Sequence, residues 1–272
     1  PTRTPTPAPP PPSQPLSSNS FQVTREGAYN NNRYVIYRPS NPSAVPFRMP
    51  VLAFGNGACA HTDGSEVVRL LSAIAAKGIV VVDTASINGS NNGVGSGSPI
   101  PSLLTDAITL ANNENNRSGS ALNGRLDLSK VATAGHSCGG LEALVAGADS
   151  RVKAVASINS GLFADASFGY SRNELNKLHS PVLFMDGGPG DIAYDNTRAN
   201  YSLVNHVPAI YASHSQAGHG GFITGYQMND AVEVLVNFLD MTLYNNSSAR
   251  SFMLSSSGLQ SRQNWSVQRK GY

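Results

Sequence analysis

Residues 130–148 read KVATAGHSCGGLEALVAGA. The stretch opens on an apolar run of strand length, Lys130–Ala134, and closes on Leu141–Ala148, whose Leu and Ala spacing suits a helix. Between them stands Gly135-His136-Ser137-Cys138-Gly139, a G-x-S-x-G string. In a chain with 26 glycines the string alone is weak. Its context gives it weight. A serine on a sharp turn from strand to helix is lifted above the sheet, and small flanking residues avoid collisions there. The helix start adds free amides that can hold an anion. A hydroxyl is a poor nucleophile until a base removes its proton. Ser137 as nucleophile therefore needs an acid and a histidine further along, in that order.

Of six histidines, His61, His136 and His179 precede the place where a base belongs. His206 lies before an expected strand and His214 within it. His219 sits in QAGHGGF, residues 216–222, a glycine-rich loop after the last parallel strand, and is the expected base. The acid belongs on the loop after Pro181–Asp186, where Asp186, Asp191 and Asp195 compete. Asp186 still belongs to the strand end. Asp191, in GGPGDIA, is better placed to reach a histidine on the next loop and fix its tautomer.

Outward from the elbow, strand-like and helix-like runs alternate. Strands are expected at 33–37, 50–54, 79–84, 152–158, 181–186 and 208–213, and helices at 65–77, 101–111 and 230–243. This alternation predicts an α/β fold, a mostly parallel sheet with helices on both faces. Segments 85–101 and 112–124 read as loops. Residues 1–20, PTRTPTPAPPPPSQPLSSNS, cannot bury enough surface to fold and read as an extended linker, of the kind that tethers a catalytic domain to a binding module. Residues 21–272 form one domain, with 246–272 expected as a loosely ordered tail.

Composition removes other classes. Charged residues are 13% of the chain and the net charge is +2, with no clustered basic stripe, so a nucleic-acid partner is not expected. No apolar run approaches the roughly 18 residues of a membrane span. Polarity comes from Ser, Asn, Thr and Gly, a style common in secreted proteins, and an extracellular location is expected.

These motifs resemble the α/β-hydrolase superfamily of serine esterases, and within it the dienelactone-hydrolase-like and cutinase-like polyester hydrolase branch. The resemblance runs over residues 54–239 and rests on FGNGA (54–58), AAKGIVVVDT (75–84), GHSCGG (135–140), PVLFMDGGPGDIA (181–193) and AGHGGF (217–222). It implies the α/β-hydrolase fold, a triad at Ser137, Asp191 and His219, and a secreted carboxylic ester hydrolase without cofactor or metal. The substrate would be a cell-wall ester, an aliphatic polyester or a small ester. An acyltransferase, a peptidase or a non-catalytic binding module on the same fold are the alternatives. The oxyanion hole would use the amide of Cys138 and a second amide from Asn56, Gly57 or Ala58. Two departures stand out. Cys138 replaces the usual Met, and no Trp follows the strand after the elbow helix. In this fold the segments holding Cys59 and Cys138 face each other, so a disulfide between them is expected, with two free thiols as the alternative.

Overall fold

The computed structural model describes residues 10–91 and 93–272. Nine strands form one sheet. β1 (Val23–Ala28) and β2 (Asn31–Pro39) make an antiparallel pair at one edge. β3 (Met49–Gly55) leads into α1 (Ser65–Ala75), which returns the chain to β4 (Val80–Asp83). α2 (Ser102–Asn116), β5 (Leu126–His136), α3 (Cys138–Ala146) and β6 (Val152–Ile158) follow. Then come β7 (Val182–Asp186), α4 (Tyr194–Leu203), β8 (Ala209–His214), α5 (Met228–Tyr244), α6 (Ser247–Leu254) and β9 (Trp265–Lys270).

The strand order is β1-β2-β4-β3-β5-β6-β7-β8-β9. The six strands from β4 to β8 in that order are parallel, and β2 and β9 run against them. This is an α/β fold with a mostly parallel sheet. β3, β4, β7 and β8 are buried along their whole length, so both faces are covered. That is why they read in sequence as unbroken apolar runs rather than alternations. α1 packs on α5, and α2 on α3.

The connection from β3 goes to β4 on one side, and the connection from β5 goes to β6 on the other. The loops leaving these two neighbours diverge and open a crevice at the carboxyl end of the sheet. Ser137 stands at that end of β5. Among the described residues no helix is long and apolar enough to cross a membrane.

Three expectations need correction. The tail is ordered. α5 ends on Asn245 in a left-handed conformation (φ 54°), and Asn246 caps α6 by accepting from the Ser248 and Ala249 amides at 3.0 Å each. β9 then completes the sheet, and its Trp265 stacks on Phe222 with ring centroids 5.8 Å apart. The loop expected at 112–124 begins only after α2 has run on to Asn116. Of the expected linker, residues 1–9 lie outside the described residues, but Leu16 is fully buried and its amide donates to Asp240 Oδ2 at 2.9 Å.

Asp240 accepts that bond from a site without solvent, and its Oδ1 has no partner. Burial raises its pKa to about 6. A carboxyl raised from 3.8 favours folding while protonated and opposes it once ionised. Stability is therefore lost as the pH rises from about 4 through about 6, by on the order of 2–3 kcal/mol. Asp240→Asn keeps an acceptor for Leu16 and removes the charge. Its melting temperature should exceed the wild type's by several degrees at pH 8, and the gap should close near pH 4 when both are scanned calorimetrically.

Candidate active site

β3 and β5 lie in register with Gly55 opposite Gly135. Beyond this pair the chain turns sharply into α3. Ser137 takes φ 54° and ψ −121°, a conformation that L-residues hold only under constraint. The glycines around it are dictated by contact. A methyl group on Gly135 would overlap the Gly139 carbonyl, and one on Gly139 would overlap the Gly55 backbone. The G-x-S-x-G string is thus the footprint of three backbones pressed together.

His219 Nε2 lies 3.0 Å from Ser137 Oγ, and His219 Nδ1 lies 2.6 Å from Asp191 Oδ1. With the Nδ1 proton donated to Asp191, Nε2 is left to accept the Ser137 hydroxyl. Asp191 is buried, which by itself would raise its pKa. Hydrogen bonds from His219, the Ala193 and Gly187 amides and Asn159 override burial and hold it at about 2. It is a fixed negative charge under the imidazole. The competing acids sit elsewhere. Asp186 accepts from Ser213 Oγ at 2.6 Å and from the Gly188 amide at 2.9 Å, while Asp195 is exposed and faces Arg198. His214 is buried edge-on against Trp265.

Two side chains that the motif does not name hold the histidine loop. Asn159, at the end of β6, donates through Nδ2 to Asp191 Oδ2 at 2.6 Å and to the Gly218 carbonyl at 3.1 Å. It does so from a left-handed backbone (φ 50°), which Asn tolerates better than most residues. His136 Nε2 lies 2.8 Å from the His219 carbonyl oxygen and donates to it. Burial lowers the His136 pKa to about 4, so it is neutral near pH 7. The sequence signal for Asn159 was its position, a polar residue at the carboxyl end of a strand beside the elbow.

No family model matches the chain, and no curated protein does either.

The loop after β3 is fastened along its length. Asn56 is buried and donates Nδ2 to Asp83 Oδ1 at 2.8 Å. Asp83 is held well above the usual carboxylate range by burial and by the neighbouring Asp63 carboxylate. Asp63 itself meets Arg25 and the Tyr37 hydroxyl. Cys59 is bridged to Cys138 with a Cα separation of 5.2 Å. The bridge joins residues 79 apart, a loop for which the chain-entropy model gives about 4–5 kcal/mol. Ala58, Cys59 and His61 all have positive φ, so the loop is wound tightly against the elbow. Of the candidate amide donors, Ala58 and Cys138 line the cavity above Ser137, whereas Asn56 and Gly57 do not.

His61 is 1% exposed. Its Nδ1 lies 3.0 Å from the Gly95 carbonyl oxygen and its Nε2 2.8 Å from Glu142 Oε1. Both ring nitrogens face acceptors, so both carry protons. Burial works against that charge, but Glu142 and Gly95 outweigh it and raise the pKa. Glu142 Oε1 also accepts from the Ile100 amide at 2.7 Å, and the Gly97 amide donates to the Cys59 carbonyl at 3.0 Å. The pair therefore ties α3, the β3 loop and the 95–100 wall of the cavity together. Removing one partner of a buried ion pair strands the other charge, at a cost of about 3–5 kcal/mol. His61→Leu and Glu142→Leu should each lose stability on that scale. The double variant should lose clearly less than the sum in chemical denaturation, and simple additivity would count against the coupling.

Proposed function

We propose that the chain is a serine carboxylic ester hydrolase with an α/β-hydrolase fold. The observation that carries this reading is the chain of contacts Ser137–His219–Asp191, set on a strained strand-to-helix turn and opening into a cavity of about 380 Å³. In the proposed reaction His219 Nε2 takes the Ser137 proton as Oγ attacks the ester carbonyl. Asp191 holds the imidazole and balances the imidazolium. The amides of Ala58 and Cys138 donate to the developing oxyanion. His219 then protonates the leaving alcohol, and water releases the acid from Ser137 by the same route. The amide of Cys138 is free for this role because the first N–H groups of a helix have no internal partner. Asn159 and His136 are positioning residues, acting through Asp191 and His219.

The walls favour an ester with an apolar arm. Leu141, Phe163, Phe168 and Ile192 line the cavity. The two phenylalanine rings sit 5.3 Å apart, 37% and 44% exposed, and Ile192 is 86% exposed. Such exposure of large apolar groups around one opening marks a binding surface. Phe222 belongs to the core instead, and Tyr170 and Tyr194 are not among the residues of the wall. The segment 162–178 holds a short 3-10 turn at Arg172–Lys177. Leu162 anchors it through two bonds to Asn200 of α4, at 2.8 and 2.9 Å. The disulfide and the low charge support an extracellular setting for this activity.

Hydrolysis of p-nitrophenyl esters from acetate to long acyl chains tests the reading. Wild type should be active and Ser137→Ala should lose at least about 10³-fold in kcat. Retention of the wild-type rate by Ser137→Ala would sink the proposal. Asn159→Ala should lower kcat roughly 10- to 100-fold with little change in KM, since its amide, though at the cavity wall, is spent on Asp191 and the Gly218 carbonyl and its loss misaligns the base. A rise in KM alone would place Asn159 in substrate binding instead.

A further inference from the structure

We propose that the cleft between α6 and the end of β9 is a second binding site, for an oxyanion group carried on a larger polar molecule. It lies far from the chemistry. β9 runs antiparallel to β8, with Trp265 opposite His214 and Lys270 opposite Ala209. His214 is at the carboxyl end of β8, the end at which Ser137 leaves β5. Arg269 and Lys270 are therefore at the other end of the sheet.

The cleft has a volume of about 640 Å³, larger than the cavity above Ser137. Arg250, Ser251 and Ser255 line one side and Arg269 and Tyr272 the other, with no acidic side chain among the lining residues. Arg25, Arg38, Arg117, Arg151 and Arg262 each meet a carboxylate. Among the described residues, Arg250 and Arg269 do not, nor do Arg33, Arg48, Arg69, Arg125 and Arg172, but only Arg250 and Arg269 share one cleft, where Arg250 lies over the Tyr272 ring, 6.0 Å from its centroid. Arg269 is the more telling of the two. Its Nε and Nη2 are buried and have no acceptor. A folded chain rarely leaves charged donors shut away from both water and partners, and such a group calls for a ligand or an ion. Lys270 has other work, donating to the Tyr201 carbonyl at 2.6 Å and to Asn205 Oδ1 at 3.0 Å, which fixes the strand end.

A guanidinium offers parallel N–H groups that match two oxygens of a carboxylate or a phosphate. Two of them, with serine hydroxyls beside them, make a wall suited to that group, with Leu254 and the Tyr272 ring supplying the apolar part of the cleft. The volume of the cleft exceeds what a lone ion fills, so the oxyanion belongs to something larger. Its occupant would hold the domain from behind while the cavity mouth stays free.

Calorimetric titration at low salt tests this, with inorganic phosphate and an oligogalacturonate as anionic probes and a neutral oligosaccharide of equal length as control. At least one anionic probe should bind wild type, the neutral sugar should not, and the Arg250→Gln/Arg269→Gln variant should bind at least tenfold more weakly. Phosphate binding would assign a phosphate-bearing ligand, and binding of the oligogalacturonate alone a carboxylated one. Arg250 is exposed on α6, so Arg250→Gln alone gives a variant whose fold is not at risk and whose binding should also weaken. Hydrolysis of a soluble ester by both variants should stay at the wild-type rate, which separates this site from the proposed active site. Failure of wild type to bind either anion, or equal affinity in the double variant, overturns the proposal.

Discussion

The contact of three backbones at Gly55, Gly135 and Gly139 is the constraint on which the rest depends. No side chain fits between them, so the end of β3 and the start of α3 approach as closely as backbone permits. That closeness places Ala58 beside Cys138 and lets Cys59 reach Cys138 for the bridge. It also forces Ser137 into its left-handed turn. Strain at one residue is sustainable because the surroundings over-determine it. Here the surroundings are a fully buried strand on one side and a disulfide on the other.

Around this point, polar side chains fasten the loops that stand above the apolar core. The β3 loop is pinned by Asn56, by the bridge at Cys59, by His61 and by Asp63. The histidine loop is pinned by Asn159 and His136. The pins reach β1, β2, β4, β5, the end of β6 and α3, so the loops inherit the rigidity of the sheet. Buried polar networks of this kind are costly when incomplete and specific when complete. They explain how a site built almost wholly on loops can hold its hydroxyl, imidazole and carboxylate within hydrogen-bond distance.

The parallel heart of the sheet was legible because strands buried on both faces must be continuously apolar. The elbow was legible because a collision-free turn needs glycines at fixed offsets. Asp191 and His219 followed from chain order and loop position, and the structure brings both to Ser137. The edges were harder to read. β1, VTREGA, is half exposed, and its composition carries little apolar signal. α4, YDNTRANYSL, buries only Thr197, Asn200 and Tyr201. β9 did carry alternation in Trp265, Val267 and Arg269, but the serines and asparagines before it masked the pattern. His61 and His136 were out of reach, because their partners lie between 34 and 83 residues away and only the fold brings them together, while Asn159 showed only its place at a strand end.

The docking of Leu16 has a geometric consequence. Ser17 and Asn19 accept from Lys77, just past the end of α1, and the Phe21 amide donates to the Ala76 carbonyl. α1 starts at the end of the sheet where Ser137 stands and finishes at the opposite end. The polypeptide therefore joins the domain at its base, on the far side from the cavity. A pull transmitted through residues 10–15 would load Leu16, α5 and the foot of α1, and would bypass the elbow and its three loops. The lever arm between anchorage and cavity mouth is the full length of the parallel strands.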